Sequence, residues 1–244
     1  MTIVAAATTY LDALISHDAD SVPLADHVRR INNGKVMAQN ADELRAVIRR
    51  EPKVTTHGFR WLVDGDHAVT FYDLDADMDG DALIPAYIGE RFTVRDGMIE
   101  EIEVVYTARL GEPRPPRPER HPAAPGDGDE TLAAAQRYVA ALVSHDATDV
   151  PAASDLWRVE NGQVTADDGD ELRRSLESEI MHTVQAITDE RWFVDGPDAA
   201  VFYDLRARIG DGPDDEMTVR IAERFRVVGG QIVEIEAVFA PVPL

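Results

Sequence analysis

Two glutamates stand out by their neighbours. Ile-Gly-Glu-Arg-Phe-Thr-Val, residues 88–94, returns as Ile-Ala-Glu-Arg-Phe-Arg-Val, residues 221–227. Read as β-strands, side chains alternate, so Ile88, Glu90, Phe92 and Val94 share one face, as do Ile221, Glu223, Phe225 and Val227. Each apolar face thus carries one carboxyl. Desolvation disfavours the charged form and raises the pKa, so a carboxyl held there stays an acid near neutral pH and donates a hydrogen bond to an electron-rich oxygen. The plainer alternative pairs each glutamate with the arginine that follows it, as an ordinary ion pair at a strand edge. His17 and His145 titrate in the right range for catalysis, but both fall at the end of a helix, where a histidine meets the helix dipole favourably. Asp73 and Asp204, each after Phe-Tyr in a strand, are further groups that could face a cavity, with Asp204 retained as a binding candidate.

The elements that would position these groups are written twice. Residues 10–34 match residues 138–162 at 13 of 25 positions, and residues 60–74 match residues 191–205 at 10 of 15. The offset grows from 128 to 131 to 133, so insertions fall between elements. A period this long is a domain duplication; solenoid repeats run to roughly 20–50 residues. Each copy is expected to open with an amphipathic helix bearing Tyr10, Leu11, Leu14 and Ile15, or Tyr138, Val139, Leu142 and Val143. A strand running into Asn33-Gly34 or Asn161-Gly162 follows, then a second helix, then four strands broken at Asp-Gly turns. Helices first and antiparallel strands after predict an α+β fold, a curved sheet wrapped on helices around a cavity. Domains are expected at 1–108 and 129–244. The proline- and arginine-rich stretch 109–128 between them reads as a semi-extended linker.

That order, with Arg-Tyr-Val-Ala-Ala-Leu-Val-Ser-His-Asp-Ala opening the second copy and Glu-Arg-Phe on a late strand, resembles the nuclear transport factor 2-like (SnoaL-like) superfamily of cone-shaped α+β barrels. The resemblance covers nearly the whole chain, twice, and omits the linker. Among its members the ketosteroid isomerase pattern is nearest. There a carboxylate moves a proton beside a carbonyl while a tyrosine and a protonated acid hold the developing enolate oxygen. By position, the resemblance implies Glu160 as base, with Tyr138 and Glu223 as oxyanion donors. In the first copy the same positions are Asn32, Tyr10 and Glu90. An amide accepts no proton at neutral pH, so the first copy is expected to bind or support without proton transfer. Trp157, present in one copy only, is expected to line a pocket or an interface. Structural readings stand beside these: Arg158 shares a strand face with Glu160 and would hold it ionised, and both tyrosines lie on an apolar stripe where packing suffices.

The implied function is binding of a small apolar carbonyl compound, steroid- or polyketide-like. Cofactor-independent isomerisation, cyclisation or dehydration in the second copy would follow; the alternative is a non-catalytic ligand-binding or protein-interaction module. The formal charge of −22, from 24 Lys plus Arg against 46 Asp plus Glu, repels nucleic acid and anionic lipid. The only lysines are Lys35 and Lys53, a skew matching a GC-rich genome or a high-salt proteome. No cysteine is present, and no metal-ligand, phosphate-loop or nucleophile-elbow motif occurs, so neither metal nor cofactor is expected. No basic leader precedes the first helix and no apolar run approaches about 20 residues, so a cytoplasmic protein without membrane association is expected. Because single-copy relatives pair through their sheets, fusion of two copies implies an intrachain pseudo-dimer and a monomeric chain.

Overall fold

The computed structural model describes residues 1–77, 83–110, 113–122, 125–210, 212 and 215–242. The chain divides into two compact units, Met1–Arg114 and Pro115–Val242. In the first, α1 (Ile3–Ser16) precedes β1 (Leu24–Asn32), β2 (Lys35–Ala38), α2 (Ala41–Ile48), β3 (Lys53–Asp64), β4 (His67–Asp77), β5 (Leu83–Arg95) and β6 (Met98–Ala108). The second repeats this with α3 (Gly128–Ser144), β7 (Ala152–Glu160), β8 (Gln163–Ala166), α4 (Gly169–Leu176), β9 (Val184–Asp195), β10 (Asp198–Arg208), β11 (Glu216–Val228) and β12 (Gln231–Pro241).

Each unit is a six-stranded sheet folded over its helices, in the order β2-β1-β6-β5-β4-β3 and β8-β7-β12-β11-β10-β9. The sheets are mixed: β1 runs parallel to β6 and β7 parallel to β12, while the other pairs are antiparallel. This corrects the all-antiparallel expectation, which also lacked the short strands β2 and β8. Asn33-Gly34 and Asn161-Gly162 adopt positive φ, as a two-residue hairpin requires, and turn β1 into β2 and β7 into β8.

Local chemistry explains the helix ends. Asn40 and Asp168 accept from the backbone N–H of Glu43 and Glu171 at the starts of α2 and α4, satisfying a donor that has no partner inside the helix. His17 and His145 close α1 and α3 in the left-handed conformation, at φ 60° and 57°. The buried stripe of α1 is Ala6, Ala7, Tyr10, Leu11, Ala13 and Leu14, whereas Ile15 is exposed. Tyr10 meets Phe92 edge-on at 5.5 Å, and Tyr138 meets Phe225 at 5.3 Å. These contacts seat each helix against the middle of its sheet.

Residues 113–122 form neither helix nor strand, yet they are anchored. Arg114 reaches Asp73 at 2.8 Å and Asp75 at 2.5 Å within the first unit. Arg117 pairs with Glu236, and the His121 N–H donates to Glu234, both on β12. Part of the stretch read as a tether is therefore bonded to the sheet of the second unit.

Candidate functional site

Strand alternation places Glu90 on the inner face of β5, where it is 1% exposed. The Tyr72 hydroxyl on β4 donates to its Oε2 at 2.8 Å. Burial pushes the Glu90 carboxyl up to about 7, against the opposing pull of Arg30 and of the Tyr72 hydrogen bond. Glu223 on β11 repeats the arrangement: Tyr203 donates at 2.9 Å, and burial raises the carboxyl to about 7. Neither glutamate pairs with the arginine beside it. Those arginines point to the opposite face, where Arg91 bonds Glu103 and Arg224 bonds Glu234.

Two residues apart on β1, Arg30 and Asn32 face the same interior. Arg30 Nε donates to Asn32 Oδ1 at 3.1 Å and Nη1 to Glu51 at 2.9 Å. Its guanidinium lies 5.9 Å from the Tyr10 ring centre. The Tyr10 hydroxyl is buried without a hydrogen-bond partner, and its pKa is raised by burial, with Arg30 opposing. Arg30, Asn32, Glu51, Tyr72 and Glu90 line a cavity of about 200 Å³, walled by Leu74, Ile84, Ala86, Ile88, Val104 and Tyr106; Tyr10 lies outside its lining.

In the second copy Tyr138, Glu160 and Glu223 gather with Arg158 and Tyr203. Tyr138 sits against Glu223 and Arg158, and burial foremost raises its hydroxyl pKa. Glu160 Oε2 lies 3.6 Å from Arg158 Nη2, and Arg158 Nε donates to Thr165 at 2.9 Å. The carboxyl of Glu160 is 28% exposed, whereas Glu223 is buried. The cluster thus joins a solvent-reached carboxylate at the strand end to an interior acid. In the same unit, Met181, Met217, Val219 and Phe239 are partly buried against the core.

Two binding candidates lie elsewhere. Asp204 is on the face of β10 opposite Tyr203 and accepts two bonds from Arg220, at 2.8 Å each, because strand alternation turns it away when Tyr203 turns in. Trp157, buried on β7, donates its indole N–H to the Glu119 carbonyl at 3.1 Å and so holds the linker segment. Its absence from the first copy, where Arg29 stands, matches that role, because residues 115–122 belong to the second unit. The residues missed are Tyr72, Tyr203, Arg30 and Glu51. The repeated Phe-Tyr-Asp-Leu and the arginine two before Asn32 and Glu160 were the available signals.

Among the described residues, no group of three or more His, Asp or Glu could hold a metal ion. No described helix is long and apolar enough to cross a membrane.

Comparison with solved structures finds an M. tuberculosis LEH-like epoxide hydrolase, with 21% identity and a TM-score of 0.40, covering 43% of this chain and 82% of that one. An NTF2-like protein of unknown function from Cytophaga hutchinsonii is 13% identical with a TM-score of 0.37, covering 44% and 91%. A computationally designed 17-OHP binder is 13% identical with a TM-score of 0.39, covering 43% and 97%. No curated protein matches the chain. Across both copies, residues 1–106 and 126–239 match one family model, and the chain belongs to that family, described as a domain of unknown function, DUF8021.

Proposed function

We propose that this protein binds a small, mostly apolar, oxygen-bearing molecule inside the first copy. The observation that carries the reading is the cavity of about 200 Å³, apolar along its walls and bearing the Glu90–Tyr72 pair. Binding pockets for drug-sized ligands span roughly 300–1,000 Å³, so this one suits a molecule of one or two rings. Glu90, in its protonated form, donates to a carbonyl or hydroxyl oxygen, while the walls remove the ring from water at about 25 cal/mol per Å². The test is calorimetric titration with 2-naphthaldehyde. Micromolar binding is expected, with at least a tenfold loss in Ile88→Trp, whose indole fills the space. Equal binding by both proteins would place the ligand elsewhere.

A second reading concerns the second copy, where Glu160 is close enough to Tyr138 and Glu223 to raise the pKa of both, after burial as the main cause. Here the proposed role is cofactor-independent proton transfer: Glu160 as base, because it is a carboxylate where the first copy has an amide, and Tyr138 and Glu223 as donors to the developing oxyanion. Glu160 lies 3.6 Å from Arg158 at the end of β7 and is 28% exposed, open to a substrate proton. Exchange of the α-protons of a cyclic ketone into D₂O, followed by NMR, reads the chemistry directly. Glu160→Gln should abolish the catalysed exchange, and an unchanged rate removes Glu160 as base.

A further inference from the structure

We propose that the first copy selects ligands that end in a carboxylate, held by Arg30 and Asn32. This rests on the reading that the first-copy cavity binds a ligand.

The duplication supplies an internal comparison. In the second copy the protein places its own carboxylate, Glu160, 3.6 Å from the Nη2 of the buried Arg158. At the same strand position the first copy has Asn32, and the carboxylate partner of its arginine is Glu51, 30% exposed. The arginine itself is 6% exposed. The carboxylate of the ion pair has therefore left the strand position held by Glu160 in the second copy and comes instead from Glu51, after α2, which also lines the cavity.

What remains there is a set of donors. Arg30 spends Nε on Asn32 Oδ1 and Nη1 on Glu51, leaving Nη2 with no hydrogen bond among the described residues. Because Asn32 Oδ1 is turned to the guanidinium, its Nδ2 donors are turned away from it. A buried donor with no acceptor is costly, so the group that completes this site must accept. A carboxylate has two acceptor oxygens and no donor, and charge-assisted bonds from guanidinium are roughly twice as strong as neutral ones. An alcohol would add another donor to a place already rich in them. The ligand carboxylate would thus occupy the position that Glu160 fills in the second copy, with its apolar body along Ile84, Ala86 and Ile88.

The full chain is titrated by calorimetry with 2-naphthoate, 2-naphthaldehyde and 2-naphthylmethanol, which share a ring system. Naphthoate should bind at least tenfold more tightly than either neutral analogue. Asn32→Asp, which returns a carboxylate beside the arginine with almost no change of volume, should collapse that ratio to about twofold or less. If all three bind alike, or if the preference survives Asn32→Asp, the carboxylate inference is overturned while the cavity reading stands. If none binds, the cavity reading fails and takes this inference with it.

Discussion

Glu90 and Glu223 connect burial to a measurable dependence on pH. Each carboxyl is raised from an ordinary 4.5 to about 7, with burial as the largest cause. For a carboxyl with a raised folded-state pKa, the folded protein holds a proton that the unfolded chain has released between those two values. Its contribution to stability therefore declines as pH climbs from about 4.5 to about 7, and is constant outside that window. The size follows from the shift, on the order of 3 kcal/mol per glutamate. Other carboxylates add slopes of their own, so the comparison is between proteins: wild type minus Glu90→Gln, and wild type minus Glu223→Gln, in urea unfolding at pH 4.5, 6 and 8. Each difference should change across the window in the direction of relative loss for the wild type as pH rises. A flat difference for both variants would mean that neither carboxyl is protonated inside the fold. On the proposed reading, the proton that Glu90 retains is also the one it would donate to a ligand oxygen near neutral pH.

At the scale of elements, the internal sequence repeat made some features readable and hid others. Alternation along residues 88–94 and 221–227 was enough to turn both glutamates inward, because Phe92 and Phe225 on the same side are fully buried against α1 and α3. The tyrosines of α1 and α3 were legible by the same logic, through helical spacing. The strand Phe-Tyr-Asp-Leu was not: alternation puts Tyr203 and Asp204 on opposite faces but does not say which is inside. The answer comes from a bond across to β11, where Tyr203 meets Glu223 and Arg220 meets Asp204. Pairing of β1 with β6 joins Asn32 to Val104 in parallel, a contact between residues far apart in the chain that no local pattern records. The inward arginines were hidden for a different reason. A lone charge reads as solvent-facing, and only its partners, Glu51 and Asn32 for Arg30 and Glu160 and Thr165 for Arg158, make burial tolerable.

For the whole molecule, the question is how two copies of one fold came to differ inside. Position by position the walls differ: Met217 stands for Ile84, the larger Val219 for Ala86 and the smaller Ala237 for Val104, with Met217 and Val219 packed against the core. Three extra residues between α4 and β9 add a short 3-10 turn, Met181–Thr183, and Met181 packs against that same core. His182 of this turn stacks on His145 at 4.6 Å, tying the insertion to the end of α3. The first copy has no such turn between α2 and β3, and Glu51 and Pro52 line its cavity instead. The cavity of about 200 Å³ described above lies in the first copy, and the Tyr138–Glu160–Glu223 cluster in the second. The consequence is a stoichiometry: calorimetric titration with 2-naphthoate should give one ligand per chain. Ile88→Trp should abolish that site, whereas Ile221→Trp, the same change at the matching strand position of the second copy, should leave the stoichiometry at one. Two ligands per chain would mean that the second interior takes the same ligand. Loss of binding in Ile221→Trp alone would move the site to the second copy, and the role given to Asn32 would then have no place to act.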